Sequence, residues 1–407
     1  MIFLKIAWRN IWRNPRRSWV LMSAVGVGVF SFVLGISFMS GFAHEIISST
    51  IDLQGGDIQI ARTGYNANPT IRSTLNEPQA IEQLLSHRDE LRYAPGVMLP
   101  AMASSTEQAV GILIRGIDPD REDDVTIISR SIVDGTYLSG PASENEVFVG
   151  EELADRLNVT IGEKIVLTAN DVNNDLSAGA FRIVGLYQTS SSEFDKTTVF
   201  LPIESARELV GFSEELSALT VRVDRSSDPE RVAAELRSAI GGDRIEVLTW
   251  RERYPMLEFY MAMFDFTILL LVVIMFIAVA FTIINSFLMV ILERVHEFGI
   301  MMAGGVRPRG IRVMLYVEAA MMTVLGMTLG CLVSLASVLY FQVFGVDLSA
   351  FSDGLRAFGM SPVVYPILDM DLVLKGFLLI AVMVFIAILY PAFKASRYDV
   401  VEAINHV

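Results

Sequence analysis

The sequence predicts an α-helical membrane protein with four transmembrane helices in a 1+3 arrangement and a large α/β domain inserted between the first and second. Three observations carry this expectation. Of the 407 residues, 52% are hydrophobic, and the mean hydropathy of +0.48 is too apolar for an ordinary soluble chain of this length. Four runs, 18–42, 261–292, 313–344 and 372–393, are long enough as helices to cross a hydrocarbon core about 30 Å thick. Charge is segregated along the chain: between Glu45 and Arg253 stand 35 acidic and 19 basic residues, a net of −16, against −14 for the whole chain.

Residues 1–17 read as a cytoplasmic amphipathic helix lying in the headgroups. Leu4, Trp8 and Ile11 recur at helical spacing beside a stripe of Lys5, Arg9 and Arg13, and Pro15 ends the element. A cleaved signal peptide is the competing reading of 1–42, but the apolar run is too long and no A-x-A site follows it. The first span and the start of a stalk occupy 18–43. Lys5, Arg9, Arg13, Arg16 and Arg17 precede this span, Arg294, Arg307, Arg309 and Arg312 lie within 293–312, and Lys394 and Arg397 lie in the 394–407 tail. The positive-inside rule therefore places both termini and 293–312 in the cytoplasm, with 44–255 and the short 346–371 loop outside.

Within 44–255 the same order of elements occurs twice. Residues 56–62, 77–91 and 97–102 read as strand, helix and strand, and 219–223, 228–240 and 244–248 repeat the pattern, with Asp228 capping a helix that opens on Pro229. Two βαβ-like arms then make one α/β subdomain. Between them, strands at 112–117, 146–149, 164–168, 181–187 and 198–201, with a helix at 151–157, read as a second, β-rich subdomain. The acidity of 44–255 argues against nucleic acid as a partner. Cys331 is the chain's one cysteine, so no intramolecular disulfide staples this domain.

Stalk and second span fill 256–292, the third span 313–345 and the fourth 372–393. Glu318 follows Arg312 by six residues, about 9 Å along a helix. A buried carboxylate there reads either as a proton relay or as a structural partner for Arg312 or a neighbouring helix. Gly326 and Gly330, like Ser31 and Gly35, form small-x-x-x-small pairs for close helix packing, within the subunit or across a dimer.

No catalytic or metal-binding constellation is legible. His44, His87, His296 and His406 are scattered, and the G-x-S-x-G, H-E-x-x-H and G-x-x-x-x-G-K-[ST] patterns are missing from the sequence. The expectation is a non-enzymatic chain with no cofactor of its own. Segment 293–312 is the exception to this blandness: Arg294 and Glu297 can pair at i,i+3, Val295, Phe298 and Met302 share a face, and Gly299, Gly304, Gly305 and Pro308 break or turn the chain.

The pattern of Glu293, Arg294, Glu297, Gly299, Ala303 and Gly305, then Ile311, Glu318-Ala319, Gly326 and Gly330, resembles FtsX/MacB-type ABC transporter permeases. Pro391, Ala395, Ser396, Asp399, Val400, Glu402 and Ala403 match that family's ending. Segments 38–46, 115–119, 146–167 and 181–210 are similar to the lipoprotein-releasing permeases of the LolC/LolE type. The resemblance implies a cytoplasmic ABC ATPase of the LolD or MacB-ATPase type, carrying ATP and Mg, docked at Glu293, Arg294, Glu297, Gly299, Ala303 and Gly305. It also implies a second permease copy, identical or related, and a lipoprotein or other amphiphilic substrate. A periplasmic carrier or adaptor is a further partner. Acyl chains would enter near Met39 and Phe42, with Met263, Phe264 and Phe266 as neighbours, although apolar residues at such places also serve simply as lipid-facing or packing surface. Between Leu167 and Phe181 the chain lacks the longer proline-containing hook of the carrier-docking subunit. Lipoprotein release, MacB-like efflux of drugs, peptides or toxins, and FtsX-like signalling to a cell-wall hydrolase are the three function classes.

Overall fold

In a computed structural model, residues 2–13, 15–67, 69–75, 77–224, 226–242, 244–357 and 359–395 are described. Ser396, Asp399, Val400, Glu402 and Ala403 of the C-terminal pattern lie outside them. The chain forms two compact units: a helical one of Met1–Ala43, Met261–Asp347 and Val363–Val407, and a sheet one of His44–Tyr260 and Leu348–Pro362. The backbone therefore passes between units four times.

Four helices among the described residues are long and apolar enough to cross a membrane: Ser18–Gln54, Pro255–Glu293, Pro308–Phe344 and Met370–Phe393. The first belongs to a 40-residue helix, Pro15–Gln54, and the second has 39 residues, so both outrun the apolar runs that announce them. The N-terminal helix Ile2–Arg13 stops one residue before Pro15, which opens the next helix where its missing N–H costs nothing. Ile11, Val25, Phe287, Phe298, Leu315 and Ile388 share one buried cluster in this unit.

Gly326 and Gly330 of the third long helix lie against the backbone of the first. A Cβ at Gly326 would stand 2.7 Å from the Met22 carbonyl oxygen, and one at Gly330 2.5 Å from that of Gly26. The small pair thus packs within the subunit. Its partner on the first helix is Gly26, whereas a Cβ on Gly35, of the other small pair, would meet nothing within 4 Å. A repeat of small residues marks a possible contact stripe, and the crossing point decides which stripe is used.

Among the described residues the sheet unit has ten strands: β1 (Ile58–Arg62), β2 (Leu91–Ser104), β3 (Ala109–Ile117), β4 (Ile132–Gly135), β5 (Glu146–Gly150), β6 (Lys164–Asn170), β7 (Leu176–Tyr187), β8 (Thr198–Pro202), β9 (Ala218–Val223) and β10 (Ile245–Thr249). Their order is β10-β1-β9-β2-β3-β8-β5-β7-β4, with β6 paired to β2 and β7. The four strands of the two arms interleave as β10-β1-β9-β2, all neighbours antiparallel, the split βαβ arrangement. The two expected subdomains are joined by hydrogen bonds: the first half of β2 pairs with β9, and its second half with β3 and β6.

Several elements depart from their expected bounds. The helix expected over 77–91 is Pro78–Ser86, and β2 already begins at Leu91, a start disguised by Pro95 and Gly96. β7 begins at Leu176, five residues before Phe181, because its Ser-Ala-Gly-Ala stretch has little intrinsic strand preference. Helix Ile203–Val210, which the sequence reading did not include, buries Ile203, Ala206, Leu209 and Val210. Helix Pro229–Ile240 has the expected cap, the Asp228 side chain accepting from the Glu230 N–H.

Leu348–Pro362, expected as part of a plain connecting loop, belongs to the sheet unit. Its Arg356 guanidinium reaches Asp195 at 3.0 Å and Glu152 at 3.1 Å. Asp195 is fully buried and also accepts from the Thr189 N–H and, at 2.6 Å, its hydroxyl. Burial pushes the Asp195 carboxyl upward against these partners. Ser49 adds a second tie, donating to the Gly359 carbonyl at 2.8 Å. Arg356→Ala removes the cation from a buried carboxylate that keeps its Thr189 bonds, at a cost of about 3 kcal/mol. Limited proteolysis of the full chain should then cut within 348–362, and protection equal to wild type would refute the anchoring role.

Candidate functional site

The second long helix ends at Glu293, and Arg294, at φ −112° and ψ 12°, breaks it. Arg294 is the N-cap of a short helix, Val295–Ala303, whose first return bond runs from the Phe298 N–H to the Arg294 carbonyl at 3.0 Å. Gly305, at φ +93°, turns the chain where a side chain would be strained, and Pro308 opens the third long helix.

This corner is built around one guanidinium. Arg294 Nε donates to Glu297 Oε2 at 2.8 Å, the expected i,i+3 pair, and Nη1 reaches Glu318 Oε2 at 3.2 Å. Its planar face covers the Phe298 ring at 5.4 Å. Arg294 is 9% exposed and Glu318 5%, so this pair stands largely out of water. Glu297 also pairs with Arg13 of the N-terminal helix, and Asn10 of that helix donates to Glu318 Oε2 at 3.5 Å. The chain Arg13–Glu297–Arg294–Glu318–Asn10 thus ties together the N-terminal helix, the short helix and the third long helix. Desolvation pushes the Glu297 carboxyl up, but hydrogen bonds from Arg294 and Arg13 and their charges prevail, holding it below the usual range.

Arg312 is not the partner of Glu318. Six residues place it roughly 120° around the helix from Glu318, and its guanidinium lies over the Phe393 ring at 4.9 Å instead. The expectation of a neighbouring helix as partner fits better, since Arg294 comes from the end of the second.

Of the residues singled out in the sequence, Arg294, Glu297 and buried Gly299 meet in this corner. Glu293, Ala303 and Gly305 lie exposed along the same element. Arg13, Asn10 and the 56%-exposed Ile300 were missed. Arg13 sits 284 positions from Glu297, beyond any local pattern. Ile300 could have been found as an apolar residue off the Val295–Phe298 face. Met39 and Phe42 are half-buried on the first long helix, while on the second Phe264 is half-buried and Met263 and Phe266 are exposed. They are apolar helix surface near the ends of the two spans.

Comparison with known proteins follows the same division. The family model of the MacB-like periplasmic core domain matches residues 18–239, and that of the FtsX-like permease C-terminal domain matches 268–400. The chain is similar to the lipoprotein-releasing system transmembrane protein LolC of Neisseria meningitidis serogroup B, 24% identical and covering 97% of this chain and 96% of the relative. LolC of Xylella fastidiosa strain 9a5c is 21% identical, covering 97% and 95%. Among solved structures, the periplasmic region of MacB from Actinobacillus actinomycetemcomitans aligns with TM-score 0.38 at 12% identity, over 50% of this chain and 93% of that one.

The geometry makes two predictions. Arg294→Ala leaves Glu318 buried without its cation and should cost about 3–5 kcal/mol of stability, whereas Arg294→Met with Glu318→Leu should recover most of it. Thermal unfolding of the three proteins checks this, and additive losses would contradict a direct pair. Because the Glu297 carboxyl is lowered, its contribution is complete above the ordinary carboxylate range and is lost as pH falls through the lowered value. Glu297→Gln should therefore lower the melting temperature at neutral pH and converge with wild type in acid. A difference that grew in acid would reverse the sign.

Proposed function

We propose a function from the premise that this chain belongs to the MacB-like periplasmic core domain family. It is an ABC transporter permease of the FtsX/MacB type that uses ATP hydrolysis on a partner ATPase to extract lipoproteins from the cytoplasmic membrane. The supporting observation is the likeness to lipoprotein-releasing system proteins over 97% of the chain, together with two family models that span both units.

In this reading the sheet unit is periplasmic, the four spans are arranged 1+3, and the Arg294 corner is cytoplasmic with both termini. An ATPase docks on the exposed side of Val295–Ala303, where Ile300 supplies an apolar knob, and two permease copies face one another. Rotation of the short helix would be felt at once by the N-terminal helix through Arg13 and by the third span through Glu318. Displacement then leaves the membrane along four backbone passages. The first span continues as helix to Gln54, where Leu53 is buried and its carbonyl accepts from buried Arg115 at 2.7 Å. The third and fourth spans lead into Leu348–Pro362, which Arg356 fastens to the sheet unit. Met39, Phe42, Met263, Phe264 and Phe266 would face the acyl chains.

One observation favours a second reading. The β6–β7 hairpin turns tightly at 171–175, where the Asp171 carboxylate accepts from the Asn173 and Asp175 N–H groups at 2.8 Å. Such a short turn gives a carrier little to grasp and suits a MacB-like efflux permease, or a non-docking subunit of a heterodimer.

Depletion of the chain should strand lipidated proteins in the inner membrane. Normal lipoprotein sorting with altered drug or peptide susceptibility would shift the assignment to efflux. Glu297→Lys should abolish release while the variant still inserts and its ATPase partner still hydrolyses ATP. Wild-type release in that variant would remove the corner from the transmission path.

A further inference from the structure

The N-terminal helix has a face that the permease mechanism leaves unused. Its inward side is tightly packed, with Ala7 at 0% and Ile11 at 1% exposure, and the Ser18 hydroxyl pins the helix end by donating to the Ile11 carbonyl at 2.7 Å. Its outward side carries Trp8 and Trp12, 48% and 49% exposed and in edge contact at 5.9 Å, and Trp19, 50% exposed, stands just beyond Pro15. Lys5, Arg9 and Arg16 are exposed beside them, and the first acidic residue of the chain is Glu45. Indole rings flanked by unopposed cations match a layer of anionic headgroups above acyl chains.

We propose that this ridge is a binding surface for anionic phospholipid headgroups, and that its occupancy sets the strength of the Arg13–Glu297 link. Arg13 stands at the meeting point. Its side chain is 52% exposed while paired with Glu297, so a lipid phosphate can reach the same guanidinium. Engagement of Lys5, Arg9 and Arg16 by headgroups holds the helix down, and competition at Arg13 loosens its hold on Val295–Ala303. The lipid composition of the leaflet thereby tunes how stiffly the short helix is coupled to the rest of the helical unit. The inference rests on the reading that this unit crosses a bilayer, but not on the identity of the cargo.

The test needs neither ATPase nor cargo. The full chain is reconstituted into vesicles of phosphatidylcholine and phosphatidylglycerol in which one or the other lipid carries brominated chains at equal mole fraction. Trp250 is 9% exposed, so lipid quenching of tryptophan emission reports on Trp8, Trp12 and Trp19. Brominated phosphatidylglycerol should quench roughly two- to fivefold more strongly than brominated phosphatidylcholine. Raised salt should erase the difference, as should Lys5→Gln, Arg9→Gln and Arg16→Gln combined. The salt arm keeps the test decisive if that variant inserts poorly. Equal quenching by the two lipids, or a preference that survives salt, would overturn the proposal. Shielding from both lipids would overturn it in favour of a protein neighbour on the ridge.

Discussion

A charged carboxylate inside an apolar helix is costly without a cation, and Glu318 has one in Arg294 at 3.2 Å. Desolvating its charge without a partner would cost several kcal/mol. Arg294 reaches it from the end of the second long helix, at the residue where that helix breaks. The break frees the Arg294 carbonyl to start a new helix and leaves its Nε directed at Glu297, one turn on. Glu297, drawn inward by this bond, becomes available to Arg13. The break, the short helix and the N-terminal helix thus meet at one buried ion pair.

Much of this was legible in the sequence, within limits set by distance along the chain. The four apolar runs, the i,i+3 pair of Arg294 with Glu297, the cap at Asp228 and the strand-helix-strand arms all depend on neighbours a few residues apart. The partners of Glu318, of Gly326 and of Arg356 depend on which faces meet, and periodicity carries no such information. Gly35 illustrates this: it has the right spacing from Ser31, yet open space lies where its Cβ would be, while Gly26, outside that pair, makes the close approach. Arg356 illustrates it differently. In sequence it is one cation in an acidic loop, and only the fold reveals that it fills the electrostatic need of a buried Asp195.

The same contrast applies to the candidate site. Its exposed short helix could be named from local pattern and family likeness, because a charged, glycine-punctuated segment between two apolar runs is a local feature. Its internal wiring through Arg13, Asn10 and Glu318 could not, because those contacts span 284 and 308 positions. Arg294, Glu297 and Glu318 belong both to the recognisable pattern and to the buried network, while Arg13 and Asn10, which complete that network, belong to it alone.

β2 has a further consequence. Strand pairing through one 14-residue strand joins both halves of the sheet, so the domain has no soft joint between them at which a push could be absorbed. In mechanical terms the domain is a beam, not a pair of jaws. A displacement at the β9 side of β2 is passed on to β3 and β6 through the hydrogen bonds of that one strand, and from β6 to β7.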